Sequence, residues 1–108
     1  MESFDLELRI ETFGSILTWR VLLEDATNDN KKVLDWQQSA EGYRYKKLPG
    51  YRIEDDSLEV FISCNGVAGG KITCAVLING KIRDPKIVAK VEDREYAKGS
   101  YEIKQIRV

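Results

Sequence analysis

Alternation between apolar and polar positions begins at once and sets the tone for the whole chain. Phe4, Leu6, Leu8 and Ile10 alternate with Asp5, Glu7, Arg9 and Glu11, the period of a strand with one buried and one wet face. Gly14-Ser15 interrupts the run. Leu17, Trp19, Val21 and Leu23 then alternate with Thr18, Arg20 and Glu24, so two consecutive antiparallel strands joined by a tight turn are predicted, with Trp19 in the core. Asp25 to Asn30 is dense in turn formers and predicts a loop. Val33 to Gln38, centred on Trp36, reads as a short strand or an irregular segment. Gly42 to Leu48 alternates weakly and meets a turn signal at Pro49-Gly50; Asp55-Asp56-Ser57 is a further turn.

The second half carries the clearest hairpin cues. Leu58, Val60, Ile62 and Cys64 share one phase, and Ile72, Cys74, Val76 and Ile78 return on it after the glycine-rich loop 65–70. The pattern predicts a hairpin between them. Asn79-Gly80 predicts a two-residue turn into the next strand, which Asp84-Pro85 keeps from being an uninterrupted central one. After the polar stretch 92–99, Tyr101 to Val108 alternates again and is the expected edge strand. No segment holds helical spacing. With about seven or eight short strands and a turn signal roughly every ten residues, the expected fold is all-β: an immunoglobulin-like two-sheet antiparallel β-sandwich, or a small β-barrel. With 108 residues and no linker or internal repeat, residues 1–108 form one domain.

Composition narrows the chemistry. There is no histidine, which removes the commonest general base and every Ser-His or Cys-His nucleophile arrangement, so a non-enzyme without cofactor is expected. Seventeen basic and eighteen acidic residues balance to a net charge of -1, which argues against a nucleic-acid partner. The aromatic and cationic run Tyr43-Arg44-Tyr45-Lys46-Lys47 is more simply the wet face of a strand. Apolar runs such as Ala75-Val76-Leu77-Ile78 fall far short of the roughly 20 residues a membrane-crossing helix needs. The acidic, alternating N-terminus is unlike a secretory signal, so the chain reads as cytoplasmic, or as a cell-envelope domain separated from a targeting segment.

Few constellations remain. Cys64 and Cys74 are either two small buried hydrophobes or, if they face one another across a hairpin, a cross-strand disulfide. Two thiols without histidine are too few for structural zinc. Glu24, Asp25, Asn28, Asp29 and Asn30 offer oxygen ligands suited to calcium, yet Asx residues in turns hydrogen-bond their own backbone, which explains the cluster without a metal. Gly66, Gly69 and Gly70 precede a strand rather than a helix and form no phosphate loop. Tyr43, Tyr45 and Tyr51 are the candidate ligand surface, suited to a glycan or a protein. Tyr101 and Ile103, on the expected edge strand, are the candidate surface for a protein partner or a homo-oligomer.

The segments Leu48-Pro49-Gly50 and Gly69-Gly70-Lys71-Ile72-Thr73-Cys74-Ala75-Val76-Leu77-Ile78-Asn79-Gly80-Lys81 resemble the small β-sandwich ectodomains of the mycobacterial membrane protein small family and related bacterial envelope proteins. That resemblance implies an envelope-associated accessory domain without catalysis, and it carries over no active-site residue.

Overall fold

A computed structural model describes residues 2–24, 31–53, 57–91 and 96–104. The described residues contain strands and no helix. The strands are β1 (Glu2–Phe13), β2 (Ile16–Glu24), β3 (Lys31–Lys32), β4 (Gln37–Gln38), β5 (Arg44–Ile53), β6 (Ser57–Gly66), β7 (Lys71–Ile78), β8 (Lys81–Lys90) and β9 (Tyr96–Lys104). Two antiparallel sheets form, in the orders β4-β5-β1-β7-β8 and β3-β2-β6-β9, and they pack as a β-sandwich without closing into a barrel.

Between the sheets lies a single apolar core. Leu6, Leu8 and Ile10 of β1 and Ile72, Cys74 and Val76 of β7 face Val21, Leu23, Leu58, Val60 and Ile62 of the second sheet. Each such aliphatic side chain contributes about 1.5–3 kcal/mol by leaving water. This burial is why β1, β2 and β6 keep their period-2 phase over most of their length, whereas in β7 Ala75 and Leu77 of the opposite phase are buried as well.

Both hairpins expected from shared phase turn out to be crossings between sheets. β1 and β2 are not paired: β1 lies between β5 and β7, and β2 lies between β3 and β6. Likewise β6 pairs with β2 and β9, while β7 pairs with β1 and β8. An apolar face can be buried against a strand in the opposite sheet as well as beside one in the same sheet, and alternation alone does not separate the two. The glycine-rich loop and the Gly14-Ser15 turn meet where the chain makes these crossings. Val67 N–H donates to the Ser15 carbonyl at 3.0 Å, and a Cβ on Gly66 would clash with that same oxygen. Only glycine allows the two connections to come so close.

Asn79-Gly80 does form the predicted turn. Ile78 pairs with Lys81, and both turn residues have positive φ, 52° and 80°, as a type I′ turn requires. Asn79 also ties the turn to β1, accepting from Asp5 N–H through Oδ1 at 2.9 Å and donating its own N–H to the Asp5 carbonyl at 2.8 Å. Asp84-Pro85 sits in an irregularity: Cys74 pairs with Ile87 and Val76 with Arg83, so residues 84–86 stand opposite Ala75 alone. β8 is an edge strand, the position where proline costs least.

Pro49-Gly50 does not end a strand as expected. It forms a bulge within β5, since Leu6 pairs with Leu48 and Phe4 with Tyr51. Gly50 adopts φ 62°, and its N–H donates to Asp5 Oδ1 at 3.0 Å. Residues 33–36 belong to no strand and separate β3 from β4; Trp36 packs edge-on against Trp19 at 5.0 Å and donates Nε1–H to the Val33 carbonyl. Trp19 is half-buried against the core rather than enclosed by it. The last strand begins at Tyr96, earlier than its alternation suggested. Asp25 to Asn30 of the expected loop, Asp55-Asp56 of the expected turn and residues 105–108 of the expected last strand lie outside the described residues.

The Gly66 contact yields a stability prediction. Gly66→Ala forces the two crossings apart and is expected to destabilise the fold by about 2–3 kcal/mol. Urea denaturation of both proteins checks this. A loss below a few tenths of a kcal/mol would show that the crossings are free to separate.

Candidate functional site

β5 carries Tyr45 and Tyr51, Tyr43 immediately precedes it, and its bulge divides them. Tyr45 pairs with Arg9 and Lys47 with Glu7, all on the outward phase of β1 and β5. Beyond the bulge, Tyr51 pairs with the buried Phe4, and their rings lie 5.9 Å apart against the core. Tyr43 and Tyr45 therefore share a surface that Tyr51 does not join.

That surface begins with a tight β4–β5 connection. Ser39 N–H donates to the Tyr43 carbonyl at 2.8 Å, and Tyr43 N–H donates to Ser39 Oγ at 3.1 Å. Tyr43 and Tyr45 meet edge to face at 6.1 Å. The Arg9 guanidinium lies over the Tyr43 ring at 5.3 Å, and Lys47 Nζ lies over Tyr45 at 5.9 Å. Such contacts contribute about 0.5–1 kcal/mol each at exposed sites. Arg9 Nε–H also donates to Glu7 Oε2 at 2.6 Å, which together with the charge of Glu7 raises the arginine's already high pKa. Glu7, Arg9, Gln38, Ser39, Glu41, Tyr43, Tyr45 and Lys47 line an open groove. Alternation marks Glu7 and Arg9 as wet-face residues, but only the β1–β5 register brings them to the tyrosines.

Tyr101 and Ile103 lie on β9, opposite Val60 and Leu58 of β6. β9 ends the four-stranded sheet, as an edge strand should. Its pairing is unbroken from Ser57↔Lys104 to Asn65↔Tyr96. The other three sheet ends differ: β3 and β4 are two residues each, and β8 is interrupted at residues 84–86.

Cys64 and Cys74 are free, buried thiols in different sheets, so they are not the facing pair of one hairpin that a cross-strand bridge needs. Burial raises the pKa of both, that of Cys74 from 9.0 to about 12. Among the described residues no group of three or more His, Cys, Asp or Glu side chains could hold a metal ion. No helix among them is long and apolar enough to cross a membrane. Comparison with protein-family models, with curated proteins and with solved structures finds no match to this chain.

The thiols generate a prediction with a definite sign. Burial disfavours the thiolate only in the folded state, so the unfolded chain releases its Cys74 proton near pH 9 and the folded chain near 12. Stability is then complete below pH 9 and falls as the pH rises toward 12. At about pH 8, below the ordinary thiol pKa, a thiol reagent should label Cys74 only after unfolding in guanidinium. Rapid labelling of the native protein would contradict its burial.

Proposed function

We propose that this chain is a non-enzymatic β-sandwich that works through protein contacts, with β9 as the strand that receives a partner. The observation that carries this reading is the contrast among the four sheet ends. Natural sandwiches blunt their edges with short strands, bulges, proline and lysine. Here β3 and β4 are short, and β8 is broken by a proline-containing irregularity. Of the four, β9 alone presents nine residues in regular register, the template that strand addition uses. An accessory role at a bacterial envelope, implied by the resemblance of residues 48–50 and 69–81, is in keeping with such a contact.

A second reading rests on the groove at Tyr43 and Tyr45. Two aromatic rings fringed by Glu7, Arg9, Gln38 and Glu41 match the combination a saccharide uses: ring faces for its C–H surface and polar groups for its hydroxyls. Tyr51 takes no part in this version of the site.

Proline substitutions test the edge. Along an antiparallel edge strand, successive N–H groups point alternately to the neighbouring strand and away from it. Of Glu102→Pro and Ile103→Pro, one should therefore spare the β6 ladder and keep the thermal midpoint close to that of the parent. That variant should lose binding to a partner captured by the parent protein at high salt. Binding unchanged in the fold-retaining variant would exclude β9. For the groove, thermal melts across a glycan panel should show at least one ligand that raises the midpoint of the parent but not of Tyr45→Ala. Flat melts would remove the saccharide reading.

A further inference from the structure

A bulge near the start of β2 decides which side chains reach the outer face of the four-stranded sheet. Ile16 pairs with Gly66 and Thr18 with Asn65, so Leu17 is the extra residue, thrown out to 79% exposure. Beyond it Thr18 and Arg20 point outward, opposite Asn65 and Ser63, while Val21 and Leu23 stay in the core. Bulges often re-aim side chains beside functional sites in this way.

The side chains so aimed surround a depression of about 330 Å³. Thr18 and Arg20 of β2, Ser63 and Asn65 of β6 and Lys32 of β3 line it, and Trp19 and Cys64 complete its floor. Lys32 stands opposite Leu22, which makes it a diagonal neighbour of Arg20, within reach for two long side chains. Arg20 Nε–H donates to Ser63 Oγ at 3.1 Å, and Ser63 is the one buried polar side chain among the described residues. That bond orients the guanidinium, whose two terminal nitrogens keep their donors, and the serine keeps its own hydroxyl proton to donate.

Among the described residues no carboxylate lines the depression, and neither Arg20 nor Lys32 enters an ion pair. Glu24 lies past Leu22 from Arg20, outside the lining. Two cations gathered on one depression repel each other, and a bound dianion reverses that cost.

We infer that this depression binds the phosphate group of a small phosphate monoester. Such a group carries a charge of about −1.5 to −2 at neutral pH, on three acceptor oxygens. Arg20 meets it with the fork of its terminal nitrogens and Lys32 as a point charge, so two cations balance one dianion. Ser63, Thr18 and Asn65 supply neutral donors for the remaining lone pairs. A volume of about 330 Å³ falls at the small end of ligand sites, with room for the phosphate and a modest organic group. The site goes beyond both functional readings above, since it uses neither the backbone edge of β9 nor the groove at Tyr43 and Tyr45 on the other sheet.

Titration followed by protein NMR tests the inference, with methyl phosphate, methyl sulfate and inorganic phosphate as probes. At about pH 7.5, above the second phosphate pKa near 6, methyl phosphate should saturate one site with Kd of about 1 mM or lower. The shifted amides should include those of Arg20, Lys32, Ser63 and Asn65. Methyl sulfate has the same shape with a single charge and should bind at least about tenfold more weakly. Affinity for methyl phosphate should fall as the pH drops through about 6 and the dianion gains a proton. Arg20→Lys keeps the charge but loses the fork, and Lys32→Gln loses the charge; each should weaken binding by at least about tenfold. Lys81→Gln, which removes an exposed cation from a turn of the other sheet, should leave it unchanged. Circular dichroism verifies that every variant folds. Methyl phosphate that never saturates overturns the inference, as does methyl sulfate binding equally well. Parent-like affinity in Arg20→Lys and Lys32→Gln, or an equal loss in Lys81→Gln, does the same. Inorganic phosphate binding more tightly than the ester would assign the depression to the free ion and overturn its assignment to a monoester.

Discussion

The carbonyl of Ser15 and the N–H of Val67 meet at 3.0 Å, at a point where Gly66 leaves no room for a side chain. This contact joins the two places where the chain leaves one sheet for the other. Once β1 and β2 are parted there, β1 is free to lie between β5 and β7, and β2 between β3 and β6. The loop is fastened from the other side too, since Gly69 N–H donates to the Val91 carbonyl and Val91 N–H to that of Gly70, both at 2.8 Å. The core between the sheets and the position of β9 at an edge both go with these crossings.

Irregularities within strands do the finer placement. The Pro49-Gly50 bulge sends Tyr51 to the core while Tyr45 stays outside, so one strand serves both the core and a surface groove. Residues 84–86 spoil β8 as a template for further pairing, and the two-residue lengths of β3 and β4 do the same at two other sheet ends. What remains is a long, regular β9. The functional reading follows from where pairing has been prevented as much as from where it occurs.

Strand addition draws on backbone groups and therefore tolerates many partner sequences, with specificity left to side chains.

By itself the sequence determined the all-β class, the inward phase of β1, β2, β6 and β7, the Asn79-Gly80 turn and the unfitness of β8 for a central place. These follow from neighbouring residues: alternation reports burial, Asn-Gly accepts positive φ, and proline lacks a donor. Tertiary structure alone decided which strands pair. Leu58–Cys64 and Ile72–Ile78 share a phase whether they lie side by side or face one another across the core, and only the glycine-lined crossing at Gly66 selects the second. The same holds for the surfaces. Arg9 reaches Tyr43, and Arg20 shares a face with Ser63, through register between distant strands, and register is set by how the whole sandwich closes over its core.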